Sequence, residues 1–246
     1  DTDRSRGLGD VYKRQPISRS YIAMLSETGA TPVVQSKWFA TVVVESPDST
    51  VAEQLQQLAI VDSVKWIWKG NLRVPAEEKR EDRFVSEDEP LHNEYGYSYK
   101  QIKMLNGTKL HEAGFRGEGM RVAVIDAGFM NADRVSAFDS LRLLGTHNVV
   151  FPGKSVFVGD DHGTKVLSCL AADIPGVMVG TAPKASYLLL KSEDSDSEYP
   201  VEEDYWTAAV EYADSAGVDV ISSSLGYFAF DTDELSYDQD AFCLLY

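Results

Sequence analysis

Cysteine is almost absent from the 246 residues: Cys169 and Cys243 are the only two. That excludes the disulfide framework on which small secreted domains depend. Positive charge is also scarce, with 23 Lys and Arg against 39 Asp and Glu and a net charge of −16. Nucleic acid and anionic membrane both call for a basic surface, so neither fits as the main partner. No apolar run is long enough for a transmembrane helix. The apolar stretch of a secretory signal peptide is missing too. No G-x-G-x-x-G fingerprint is found, which weighs against a nucleotide fold. What the chain does have is a 43% share of hydrophobic residues, enough for a real core. Its length suits one large domain, or a small domain followed by a larger one.

Residues 1–15 are polar and aperiodic, and residues 243–246 ("CLLY") follow an acidic loop. Both read as non-native flanks of a partial chain. Residues 16–70 read as a small α/β unit. Within it, "VVQSKWFATVVVE" is rich in β-branched and aromatic residues and reads as a strand. Thr50 and Glu53 have capping-box spacing and open a helix that carries Val51, Leu55, Leu58 and Ala59 on one side. "VDSVKWIW" reads as a second strand. Residues 71–94 are dense in mixed charge and read as an exposed linker suited to proteolytic processing.

From residue 95 to 242 helical and strand patterns alternate. "QIKML" and "TKLHEAG" are short helices, the second closed by Gly114. "MRVAVID", "THNVVF", "ASYLLLKSE" and "VDVISSS" read as strands, with the first and last buried. "GTKVLSCLAA" and "VEEDYWTAAVEYADSAG" read as helices. Such alternation predicts an α/β fold: a parallel sheet with helices on both faces.

Ligands of open parallel sheets bind beyond the carboxyl ends of the strands. Asp126 ends "RVAVID" there, as an active-site acid, a turn cap or a ribose ligand. His162, in "DDHGT", opens a helix. A helix N-terminus disfavours an imidazolium, so position alone does not make His162 a base. A carboxylate accepting from Nδ1–H would, by fixing the tautomer and stabilising the charge. Asp126, Asp160 and Asp161 are all candidates for that carboxylate.

"VAVIDAG", "DDHGT", "GTAPKASYLLLKSED" and "ISSSLGY" occur in this order. Together they resemble the blocks of the subtilisin-like serine proteases (subtilases, peptidase S8), over roughly residues 95–240. The resemblance implies an Asp/His/Ser endopeptidase, secreted or held in the cell envelope. Asp126 would orient His162, and His162 would act as general base. Ser224, Leu225 and Gly226 would pair with the backbone of a polypeptide substrate. It also implies that the small N-terminal unit is a propeptide docked on the cleft. No cofactor is required, and calcium is compatible with the family. In the family the Asp is commonly followed by Ser or Thr, where this chain has Ala127.

No G-T-S block supplies a nucleophile. The G-T pairs at residues 107, 145, 163 and 180 are each followed by a residue other than Ser. The 246 residues as written are therefore expected not to hydrolyse peptide bonds. Two other readings remain open at this level: a non-catalytic peptide-binding relative, and a Rossmann-like nucleotide binder.

Overall fold

A computed structural model describes residues 15–68 and 93–237. The expected flanks, apart from Gln15, and the expected processing linker, apart from Asn93 and Glu94, lie outside the described residues. The chain forms two compact units. One comprises residues 1–71, 198–211 and 227–246, and the other residues 72–197 and 212–226.

In the first unit α1 (Arg19–Glu27) leads to β1 (Thr31–Ser36), β2 (Thr41–Glu45) and α2 (Thr50–Gln56). Leu25, Ala30, Val51 and Leu55 form its core, with Val42 and Val44 packed against them. This layout corrects the sequence reading in four respects. The stretch 33–45 is an antiparallel hairpin and not one strand. Ala40 takes φ +54°, which reverses the chain where composition alone suggests continuity. The capping box is not formed. Thr50 is already helical, and its N–H donates to Asp48 Oδ1 at 2.8 Å. "VDSVKWIW" joins no ladder, because β-rich composition makes a strand only where a neighbouring edge offers hydrogen bonds. Finally, α1 is a helix that the sequence reading did not anticipate.

In the second unit α3 (Tyr99–Met104) and α4 (Gly107–Glu112) precede β3 (Arg121–Asp126) and β4 (Arg142–Asn148). Then come α5 (His162–Ala171), the short antiparallel pair β5 (Asp173–Ile174) and β6 (Met178–Val179), and β7 (Ser186–Lys191). Helix α6 (Val201–Ser215), whose residues up to Glu211 belong to the first unit, and β8 (Val220–Ser223), in the second, complete the order. Four strands form one sheet in the order β4-β7-β3-β8, with every pair parallel. Side chains alternate across a sheet. Val122, Val124, Tyr187 and Leu189 therefore share one face, where they form a core with Leu167 and Ala171 of α5. Ala123, Ile125, Leu188 and Leu190 lie on the other face and are equally buried. The expected α/β fold with a parallel sheet flanked by helices is what the structure has.

Two strand expectations change. The second strand begins earlier, at Arg142, and Val149–Phe151 leave it in a turn tied by Phe151 N–H to Asn148 Oδ1 at 2.8 Å. Strand β8, expected to be buried, is half exposed: Val220 retains 49% of its surface. Among the described residues β8 pairs with β3 alone.

Candidate active site

The sheet brings Asp126 to its carboxyl edge as the last residue of β3. Its side chain shares the α5 face with Val122 and Val124. Helix α5 begins at His162 on that face. His162 Nδ1 lies 2.7 Å from Asp126 Oδ1, so of the three carboxylates considered Asp126 is the partner. The other two have different work. Asp160 Oδ1 accepts the backbone N–H of His162, two residues on, at 2.7 Å. Asp161 pairs with Lys165, one helical turn on, at 2.8 Å.

The close approach of helix and strand end depends on Gly163. A Cβ there would stand 2.5 Å from the Gly128 carbonyl oxygen, 2.8 Å from Asp126 Cβ and 2.9 Å from a ring carbon of Phe129. Thr164 fixes the same turn, donating from Oγ1 to the Met130 carbonyl at 2.9 Å. The following segment is set by Gly180, which packs directly on the Leu170–Ala171 backbone at the far end of α5.

Asp126 is fully buried, whereas the His162 side chain keeps 51% of its surface. Burial pushes the Asp126 carboxyl above its usual range, opposed by hydrogen bonds from His162 and from the Ala127 N–H. His162 is raised above the ordinary histidine value, chiefly by its hydrogen bond to Asp126. This reverses the effect expected from a helix N-terminus alone. Oδ1 receives both the imidazole, at 2.7 Å, and the Ala127 N–H, at 2.8 Å. Oδ2 is buried and has no hydrogen-bond partner.

Ser224, Leu225 and Gly226 follow β8, whose Ser223 is in register with Ile125. They therefore leave the sheet at the edge that carries Asp126. Ser224 and Gly226 are exposed and Leu225 is half-buried. Sequence reasoning missed two residues. Lys191, in register with Asp126 on β7, is buried and its ammonium donates to the Ala127 carbonyl. Glu211 of α6 accepts from Ser36 Oγ at 2.6 Å, Trp38 N–H at 3.0 Å and Lys37 N–H at 3.1 Å. A Lys inside an otherwise apolar strand pattern, "SYLLLK", is a signal for the first. Nothing in sequence pairs Glu211 with a turn 173 to 175 positions away.

Known proteins resemble both parts of the chain. Residues 12–83 match the family described as the peptidase S8 propeptide domain of Bacteroidota. Subtilisin E of Bacillus subtilis (strain 168) is 32% identical over 147 residues, covering 58% of this chain and 36% of that protein. The major intracellular serine protease of the same organism is 31% identical over 133 residues, 51% of this chain and 40% of its own length. The thermostable alkaline protease of Halalkalibacterium halodurans is 25% identical over 191 residues, 75% of this chain and 48% of its own. The chain thus spans less than half the length of these relatives. Among solved structures, the MycP3 protease of the type VII (ESX-3) secretion system is 22% identical with a TM-score of 0.41, covering 50% of this chain and 36% of that one.

Proposed function

We propose that the chain is part of a serine endopeptidase precursor of the subtilisin-like (peptidase S8) family; the match of residues 12–83 to the peptidase S8 propeptide domain and the likeness to subtilisin E support this. In this reading Asp126 is the orienting acid and His162 the general base. The observation that carries it is the 2.7 Å bond between Asp126 Oδ1 and His162 Nδ1. It leaves the other imidazole nitrogen free to take a proton. That nitrogen removes the proton of a serine hydroxyl as the oxygen attacks a peptide carbonyl, then returns it to the leaving amine. Asp126 stabilises the imidazolium in between. Serine and oxyanion-hole donor are assigned to no residue of this chain. Ser224–Gly226 hold the substrate backbone by strand addition. Casein hydrolysis by a protein containing this chain, lost when His162 is replaced, tests the reading.

The small N-terminal unit is the propeptide in this scheme, and it silences the site until export to the cell envelope or exterior. The support is the match of residues 12–83 to the peptidase S8 propeptide domain; Glu211, in the same compact unit, ties that segment to α6 by satisfying three donors of the β1–β2 turn with one carboxylate. Hydrogen bonds to a charged acceptor are worth about 1.5–3 kcal/mol each. Glu211→Ala is therefore expected to weaken inhibition by the propeptide, supplied in trans to the processed enzyme, by roughly 10–100-fold. The uninhibited kcat should stay unchanged. An inhibition constant that does not move would dissociate Glu211 from propeptide binding.

A further inference from the structure

Lys191 is 3% exposed at the end of β7, and its ammonium donates to the Ala127 carbonyl. A buried ammonium is costly. A methionine of similar length would fill the same space without that cost, so packing does not account for the lysine. The residues it reaches are the ones that most need an anchor. Ala127 and Gly128 follow the site carboxylate directly, and they have almost no side chain with which to fix themselves. Gly128 adopts φ +156°, a region open mainly to glycine, so the backbone there has wide freedom unless something holds it.

We propose that Lys191 is a positioning residue for the Asp126–His162 pair, acting through Ala127. Ala127 is held at both ends: its carbonyl by Lys191 and its N–H by Asp126 Oδ1 at 2.8 Å. The same oxygen receives the imidazole. Ser192, next along from Lys191, donates its N–H to the Asp126 carbonyl at 3.1 Å. The end of β7 therefore grips two successive carbonyls at the end of β3, those of Asp126 and Ala127, and Lys191 supplies the outer grip. The inference rests on the reading of Asp126 and His162 as the catalytic acid and base.

The charges around both groups allow the sign of the effect to separate two mechanisms. Asp160, Glu193, Asp194 and Asp196 act on Lys191, while burial lowers its pKa. Asp126, Asp160 and Lys165 act on His162. If Lys191 mattered only as a positive charge, neutralising it would leave Asp160 less balanced and raise the His162 midpoint. If it positions Asp126, losing it loosens the Asp126–His162 bond and lowers the midpoint.

The test is NMR titration of the imidazoles in the 246-residue chain, where only four histidines need assignment. Asp126→Asn is expected to lower the His162 midpoint toward the ordinary value. Lys191→Met is expected to lower it by about one unit. The double variant should fall no further than Asp126→Asn alone. An unmoved midpoint in Lys191→Met, or a raised one, overturns the positioning role. An unmoved midpoint in Asp126→Asn overturns the acid–base reading itself, and so is told apart from failure of the Lys191 proposal. Should Lys191→Met not fold, the unmodified chain decides. As Lys191 loses its proton at alkaline pH, the Ala127 carbonyl carbon and the His162 Nδ1–H resonance must shift together. A Nδ1–H signal indifferent to that step rejects the proposal.

Discussion

Replacing His162 by Ala in a protease that contains this chain is expected to lower kcat by about 10⁶. The size follows from the chemistry. A serine hydroxyl is a weak nucleophile at neutral pH unless a base removes its proton during attack. The site offers one such base: an imidazole half open to solvent and tied through Nδ1 to a buried carboxylate. Asp160 and Asp161 do not replace it, since one is bonded to the His162 backbone N–H and the other is paired with Lys165. Substrate affinity should change little, because Ser224–Gly226 come from a different strand and are untouched. The loss should therefore appear in kcat with KM nearly constant. The pH profile adds a second check. Asp126 raises the His162 pKa, and only the neutral imidazole accepts a proton. Activity should thus rise through a midpoint above the ordinary histidine value, and Asp126→Asn should move that midpoint down. Full casein hydrolysis by His162→Ala would remove this histidine from the mechanism.

How far the sequence alone reaches differs between the two units. In the second unit the strands that bury both faces are continuous apolar runs ended by a charged residue, and "RVAVID" and "SYLLLK" are legible on that ground. The amphipathic spacing of α5 is equally plain. His162 and Asp126 are candidates because both fall at strand or helix ends on one edge. Their pairing needed the fold, since three carboxylates competed for one imidazole and only sheet geometry decides among them. In the first unit, local composition misled. "VVQSKWFATVVVE" has strand propensity throughout, yet the reversal falls at Ala40, whose left-handed conformation no composition rule signals. "VDSVKWIW" has the same propensity but no partner edge. The half-exposed β8 failed for a related reason: an apolar strand pattern reports what a strand can bury, and neighbours determine what it does bury.

Gly163→Ala is expected to be nearly as damaging as loss of the site carboxylate, with kcat lower by about 10⁴. The added methyl has nowhere to go. It would meet the Gly128 carbonyl oxygen at 2.5 Å, Asp126 Cβ at 2.8 Å and a ring carbon of Phe129 at 2.9 Å. Two of these are backbone or backbone-proximal atoms, and the third belongs to a fully buried ring. No rotamer change relieves them, so the first turn of α5 must move off β3. A shift on the order of 1 Å is enough to cost ~10² in rate through misplacement alone. Here it also breaks the bond that gives His162 its tautomer and raises its pKa. Overpacking of this kind costs about 1–3 kcal/mol of stability, so the protein should remain folded while the site fails. Gly180→Ala makes the useful contrast. Its Cβ would stand 2.4 Å from the Leu170 carbonyl, at the opposite end of the same helix. It should lower Tm by a similar amount while leaving the His162 midpoint closer to that of the parent. If Gly163→Ala kept the parent midpoint and kcat within threefold, the helix start would have slack that these contacts deny, and the 2.7 Å bond would not depend on glycine at this position.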